Sequence, residues 1–270
     1  LAAGIGIAQL VRSQRNNNQS QAGKNWTTDD MPDLTGKVII VTGANSGTGF
    51  ETAKEVARKG AQTILACRSL ERAQDARNEI LAEIPDAPVE IMELDLASLA
   101  SVREFAVDFK AKYDRLDVLV NNAGIMMVPY GTTEDGFERQ FGVNHLGHFA
   151  LTGLLLDLIL VTPGARVVNV SSNAHRRGSM DFDNLMFENG QGYSSIEAYG
   201  RSKLANLLFT YELQRRFDKM NINALAIAAH PGSTRTNITR HLEDRWYVKL
   251  LGPLWLPMLQ SADMGALPIL

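Results

Sequence analysis

The stretch Thr42-Gly43-Ala44-Asn45-Ser46-Gly47-Thr48-Gly49 decides the reading of this chain. It follows Lys37 to Val41 (KVIIV), a short apolar run bounded by turn residues, which reads as a buried strand. It leads into Phe50 to Lys59, which reads as a helix stopped by Gly60. Glycines spaced G-x-x-x-G-x-G at a strand-to-helix turn allow a tight bend and close backbone approach to a pyrophosphate, and let helix and strand pack together. The helix N-terminus then faces the anion. Gly43, Asn45, Ser46, Gly47, Thr48 and Gly49 are therefore candidate cofactor-binding residues. The alternative is a glycine-rich turn with a structural role only.

The alternation of strand and helix continues along the chain. Thr63 to Cys67, Val89 to Leu94, Val118 to Val120, Arg166 to Val170 and Ile222 to Ile227 read as further strands. Between them, Glu71 to Glu83, Ser98 to Tyr113 (with Ser98 as N-cap), Glu134 to Leu158 (mostly one long helix) and Ala198 to Phe217 read as helices. Strands alternating with helices at this spacing make an α/β fold, a doubly wound parallel sheet with right-handed crossovers and helices on both faces. The expected strand order is 3-2-1-4-5-6.

The pattern begins at Leu34-Thr35-Gly36, so residues 1–33 are expected to be an N-terminal extension and linker, and 34–270 one domain. Leu1 to Val11 is apolar and is followed by Arg12 and Arg15. Eleven residues fall short of the roughly 20 that span a bilayer. The segment reads as an unstructured leader, with a truncated membrane anchor and weak membrane association as the alternative. Ser13 to Lys24 is polar and amide-rich, and reads as a disordered linker. The first residue is Leu, which suggests a fragment or processed form.

With 270 residues, 45% of them hydrophobic and 21% charged, the chain has ordinary globular composition. A net charge of −3, no long Lys/Arg run and no zinc-spaced Cys/His set argue against nucleic acid as a partner. Cys67 is the only cysteine, so no intrachain disulfide forms. That usage fits a reducing, cytoplasmic setting. His145 and His148 stand three apart, but no acidic or histidine partner completes a metal site, and no metal is expected.

The end of the second strand separates the cofactors. A fold selecting NAD usually carries an acid there, about 20 residues on, holding the ribose 2′-hydroxyl. This chain has Ala66-Cys67-Arg68-Ser69, with no acid until Glu71. A guanidinium at Arg68 suits a 2′-phosphate, so NADP(H) is the expected cofactor.

Tyr199 and Lys203 lie four apart on a predicted helix and share a face. A phenol titrates near 10, too high for a base at neutral pH. An ammonium about 4 Å away, at an effective dielectric near 20, favours phenolate by roughly 4 kcal/mol, or about 3 pK units. The pair alone is a common surface spacing, and its meaning comes from its company.

That company resembles the short-chain dehydrogenase/reductase family, from about Lys37 onward. The matching pieces are Thr42-Gly43 through Gly49, Asp95, Asn121-Asn122-Ala123-Gly124, Asn144, Ser171-Ser172, Tyr199 to Lys203, and Pro231-Gly232. Ala66-Cys67-Arg68, Val143 to Phe149 and Ser202 to Asn206 look like the retinol-dehydrogenase-type branch, which also holds WW-domain oxidoreductases and protochlorophyllide reductases. The resemblance implies Tyr199 as general acid or base and Lys203 as its helper and holder of the nicotinamide ribose. It implies Ser172 as hydrogen-bond donor to the substrate oxygen, and Asn144 as positioner of a water relaying protons through Lys203. Asp95 and Leu96 would lie near the adenine, Asn122, Ala123 and Gly124 would line the cofactor floor, and Pro231, Gly232 and Thr234 would approach the carboxamide.

Two departures from the family pattern are visible. Thr48 replaces an aliphatic residue and is expected to weaken packing slightly. The chain stops at Leu270, where relatives continue through a helix and a last parallel strand, so six strands are expected. The implied substrate is a small lipophilic aldehyde, ketone or alcohol, since Trp246, Tyr247, Leu250, Leu251, Leu254, Trp255, Leu256 and Met258 make the segment after Gly232 apolar. A protochlorophyllide-type reductase is disfavoured because the only cysteine lies beside the cofactor loop. A non-catalytic NADP-sensing or scaffold protein is disfavoured because Asn144, Ser172, Tyr199 and Lys203 are all present. A homo-oligomer is left open.

Overall fold

The structure, a computed structural model, describes residues 26–232 and 260–270. The chain divides into a unit Leu1–Met31, whose described part is one 3₁₀ turn at Thr28–Asp30, and a unit Pro32–Leu270.

The second unit is built on β1 (Val38–Thr42), α1 (Gly47–Arg58), β2 (Gln62–Cys67), α2 (Leu70–Glu83), β3 (Val89–Glu93), α3 (Leu99–Lys112) and β4 (Val118–Asn121). A broken helical stretch follows: a turn at Arg139–Phe141, a π-type segment at Gly142–Leu146, α4 (Gly147–Leu154) and α5 (Leu156–Val161). Then come β5 (Ala165–Val170), a 3₁₀ turn at Asn173–Arg177, α6 (Ser195–Lys219), β6 (Ala224–Ala229) and α7 (Ala262–Ala266). Among the described residues six strands form one sheet in the order β3-β2-β1-β4-β5-β6, and neighbouring strands all run parallel. This is the expected Rossmann-like arrangement.

β1 is buried at all five positions, as a central strand covered on both faces requires. Ile40, Ile64, Leu119 and Val167 from four strands meet Phe105 and Phe109 of α3 in one core cluster. Each such side chain, fully buried, contributes about 1.5–3 kcal/mol. At the N-terminal edge of the sheet, Asp117 accepts from the Val38 amide at 3.0 Å and pairs with Lys37 and Arg115. The polar lock there leaves the opposite edge free for chemistry. Because the strand order reverses between β1 and β4, a crevice opens at their C-terminal ends, where such sheets bind ligands.

Three local expectations change. The helix expected over 134–158 begins only at Arg139, because both carboxylate oxygens of Glu138 accept the amides of Gln140 (2.9 Å) and Phe141 (2.7 Å) and so cap it there. It then loosens into the π-type segment, in which the Gly147 amide reaches back to the Gly142 carbonyl. Ser98 sits at the N-cap of α3 without a side-chain bond; Asp135 caps instead, accepting the Leu99 amide at 2.8 Å. β6 starts two residues later than expected, since a left-handed residue at Asn221 completes the turn out of α6.

Candidate active site

The ends of β1, β4 and β5 carry the site. Thr42 closes β1, and the loop after it bends through Gly43 at φ +66°. A Cβ on Gly43 would lie 3.0 Å from Ala123, and one on Gly49 would lie 2.3 Å from Asn122 Nδ2 and 2.6 Å from the Gly43 carbonyl. Only glycine allows α1 to approach β4 this closely. Ser46 is the N-cap of α1 but makes no side-chain capping bond. The first-turn amides of this 12-residue helix therefore have no side-chain cap and face the loop mouth. A pyrophosphate fits that arrangement.

Thr48 differs from its expectation. Its hydroxyl donates to Asn122 Oδ1 at 2.9 Å, while Asn122 Nδ2 donates to the Thr42 carbonyl at 2.8 Å. The hydroxyl ties the start of α1 to the end of β4 instead of costing packing. Cys67 also supports the loop: it is buried, it accepts from the Ala44 and Asn45 amides, and burial pushes its thiol up to about 11. Arg68 is largely exposed, its Nη1 3.9 Å from Asp95 Oδ2. Asp95 Oδ1 accepts the Ala97 amide at 2.9 Å. Leu96 is 7% exposed and belongs to the core, so only its backbone is available to a ligand.

On α6, Tyr199 and Lys203 point to the same cleft, with Lys203 Nζ 5.8 Å from the centre of the Tyr199 ring. Ser172 meets Tyr199 there through a side-chain hydrogen bond. It also accepts the Ala174 amide at 3.2 Å, so it caps the 3₁₀ turn as well. Ser171 turns away and donates to the Lys203 carbonyl at 2.9 Å. Gly124 closes the floor: a Cβ on it would lie 3.2 Å from Asn144 Oδ1 and 3.6 Å from Lys203 Nζ.

The electrostatics differ from the expectation drawn from spacing. Burial raises the Tyr199 phenol above its usual value, with only the Ser172 hydrogen bond opposing it. Lys203, fully buried, is pulled down to about 8 by desolvation. Its ammonium donates to the Val170 carbonyl at 3.0 Å rather than to the phenol. The lysine is the more acidic member of the pair.

Asn144 lies in the π-type segment and is fully buried. Its side chain binds both backbone groups of Ile125, at 2.8 and 2.9 Å, and donates to Ser202 Oγ at 3.0 Å. Its carbonyl accepts from His148 Nδ1 at 3.1 Å and Asn206 Nδ2 at 3.2 Å. His145 contacts Asn206 Oδ1 at 3.1 Å and packs among the rings of Phe141, Phe149 and Phe209. Thr42, His148 and Asn206 had no assigned place in the site from sequence.

The sheet thus brings together the loop residues Gly43 to Gly49, Asn122 to Gly124, Asn144, Ser172, Tyr199 and Lys203 at one edge. Pro231 and Gly232 follow β6, with Gly232 at φ +70°. Thr234 and the apolar segment from Trp246 to Met258 lie outside the described residues. Among the described residues no cluster of three or more His, Cys, Asp and Glu could hold a metal, and no helix is long and apolar enough to cross a membrane.

Comparison with known proteins agrees with this geometry. The family described as short chain dehydrogenase matches residues 37–184. Retinol dehydrogenase 13 of Homo sapiens is 45% identical over 238 residues, 87% of this chain and 71% of that protein. A crystal structure of a Mycobacterium paratuberculosis protein superposes with a TM-score of 0.74 at 43% identity, covering 91% of this chain and 79% of that one. A short chain dehydrogenase from Shigella flexneri, complexed with NADP, superposes with a TM-score of 0.63 at 26% identity, covering 86% and 89%.

Proposed function

The chain belongs to the short chain dehydrogenase family, as a retinol-dehydrogenase-like oxidoreductase, and from that premise we propose that it interconverts a carbonyl and an alcohol on a lipophilic substrate with NADP(H). The observation that carries this reading is the meeting of Tyr199, Ser172 and Lys203 at the C-terminal edge of the sheet, beside the glycine loop.

When bound, the nicotinamide supplies the hydride; the protein orients and polarises. The first-turn amides of α1, with Gly43 to Gly49, would hold the pyrophosphate. Arg68 would pair the 2′-phosphate, which a carboxylate at that place would repel. Asp95 and the Leu96 backbone would border the adenine. Asn122, Ala123 and Gly124 would form the floor, with Pro231, Gly232 and Thr234 near the carboxamide.

Tyr199 acts as general acid in reduction, giving its phenolic proton to the carbonyl oxygen, and as base in the reverse direction. Burial favours the protonated phenol, which suits donation. Ser172 holds the substrate oxygen against Tyr199. Lys203 supplies positive charge that stabilises developing phenolate and holds the ribose. Asn144, its side chain held by the Ile125 backbone and Ser202, would position a water that relays protons through Lys203.

The reading is tested by NADPH oxidation against a panel of aldehydes and ketones, retinal and, under light, protochlorophyllide included. Turnover on lipophilic carbonyls is expected, with none on protochlorophyllide. NADPH should bind tighter than NADH by roughly 1–3 kcal/mol, and Arg68→Asp should reverse the preference. Equal affinity for the two cofactors in the parent would reject the role of Arg68.

A further inference from the structure

His148 is 2% exposed and both its ring nitrogens are engaged. Nδ1 lies 3.1 Å from the Asn144 carbonyl and Nε2 lies 2.9 Å from Thr42 Oγ1. A carbonyl oxygen can only accept, so Nδ1 carries the proton. In a neutral ring Nε2 is then bare, and the Thr42 hydroxyl, which also lies 3.3 Å from the Val120 carbonyl, donates to it across the shorter 2.9 Å contact. That hydroxyl in turn accepts the amides of Asn122 and Ala123, both at 2.9 Å. Every donor and acceptor on this side is satisfied by one tautomer.

On the other side, Asn206 Nδ2 contacts both the Asn144 carbonyl (3.2 Å) and the Val170 carbonyl (3.3 Å). Val170 is also the acceptor of Lys203 Nζ. A continuous polar line thus runs from the Asn122 and Ala123 amides through Thr42, His148, Asn144, Asn206 and Val170 to Lys203. It joins the ends of β1, β4 and β5 to α4 and α6.

We propose that His148 is a positioning residue for catalysis, a tautomer-locked strut that aims the Thr42 hydroxyl at the cofactor floor and the Asn144 carbonyl at the Asn206–Lys203 end of the site. Its place in the first turn of α4, just after the π-type segment that carries Asn144, gives it reach to both. The proposal rests on the reading of Lys203 and the glycine loop as the reaction site. Burial, with Lys203 and His145 nearby, holds the imidazole neutral and down to about 3, so the tautomer persists through the working pH range.

The first test is independent of activity. In protein carrying ¹⁵N-labelled histidine, the His148 ring, assigned by its loss in His148→Asn, should show the neutral Nδ1–H form from pH 5 to 9. An Nε2–H tautomer, or titration near 6.5, overturns the proposal. The second test separates the two ends of the strut. An asparagine amide can stand near the Nδ1 position and keep the bond to Asn144 while losing Thr42. A glutamine can reach the Nε2 position and keep Thr42 while losing Asn144. His148→Asn should therefore weaken NADPH binding, read by fluorescence titration, about tenfold, more than it lowers kcat. His148→Gln should lower kcat about tenfold, more than it weakens binding. Equal losses in the two variants, tracking thermal stability alone, would reduce His148 to a packing residue and overturn the proposal. If the parent turns over no carbonyl, the proposed function fails while the tautomer and NADPH-binding results still judge the strut.

Discussion

Lys203 Nζ stands 5.8 Å from the centre of the Tyr199 ring, over the phenol rather than bonded to its oxygen. The two groups share one helix face, yet they titrate in the reverse of the order that spacing suggests. Burial raises the phenol and lowers the ammonium to about 8. Desolvation outweighs the attraction because the ammonium is directed at the Val170 carbonyl. The alkaline limb of kcat/KM for carbonyl reduction, which reports the free enzyme, should therefore fall with an apparent pKa near 8, set by Lys203. A limb above the ordinary phenol range would assign it to Tyr199.

Removing the hydroxyl isolates the acid. Tyr199→Phe keeps the ring packed and leaves Ser172 its bond to the Ala174 amide. Turnover should fall by about 10² or more while NADPH affinity is retained. Near-parental turnover in this variant would reject proton transfer by Tyr199.

The buried ammonium also bears on stability. Lys203 has a folded pKa of about 8, against 10.5 for an ordinary lysine. Below pH 8 it is protonated in both states and the cost of burying the charge is fully present. Between 8 and 10.5 the unfolded chain binds more protons, so stability rises with pH; above 10.5 the penalty is gone. A shift of this size is worth about 3 kcal/mol. Lys203→Met removes the charge and leaves the Val170 carbonyl its Asn206 donor, at a loss of about 1 kcal/mol for the missing hydrogen bond. Denaturant unfolding at pH 7 should show this inactive variant more stable than the parent by about 2 kcal/mol. A less stable variant would mean the ammonium is better solvated than its burial indicates.

The six strands were legible because each is a short apolar run between turn residues, and the glycine loop located the first. Tyr199, Lys203, Ser172 and Asn144 were legible through the spacing of motifs. The break at Glu138 was not, since a carboxylate turning back on the next amides leaves the apolar spacing of the helix unchanged. Nor was the line through Thr42, His148 and Asn206. Its bonds join residues 106 and 62 positions apart, and no local pattern marks such partners. The pKa order was missed for a related reason. Spacing gives the distance between two charges along a helix but says nothing of how far both are from water.

The glycine loop offers a paired test of packing. Gly49→Ala puts a methyl group 2.3 Å from Asn122 Nδ2 and 2.6 Å from the Gly43 backbone, so α1 must move away from β4. A cost of roughly 1–3 kcal/mol is expected, with loss of NADPH affinity because the first-turn amides move as well. Gly153→Ala, in α4, meets nothing within 4 Å. It should raise stability by about 0.5–1 kcal/mol. Thermal unfolding of the two variants measures both, and an unperturbed Gly49→Ala would mean that helix and strand are not held in contact here.

On the acid side the buried histidines set the slope. His148 is held down to about 3 and His145 is lowered as well, both by desolvation. A depressed histidine is neutral in the folded chain and takes a proton on unfolding below its ordinary value of 6.5. Its contribution is complete above pH 6.5 and is lost as pH falls toward 3. Each such proton steepens the loss by about 1.4 kcal/mol per pH unit. Glu138 works the other way, since burial raises its carboxyl and the folded chain holds that proton longer as pH rises. The His148 part is isolated by comparison with His148→Asn, which cannot titrate. Between pH 6 and 4 the variant's stability should fall less steeply than the parent's, by about one proton's worth. Denaturant titrations at stepped pH measure the two slopes. Parallel curves would mean that His148 takes up its proton in the folded state, and that its burial does not hold the ring neutral.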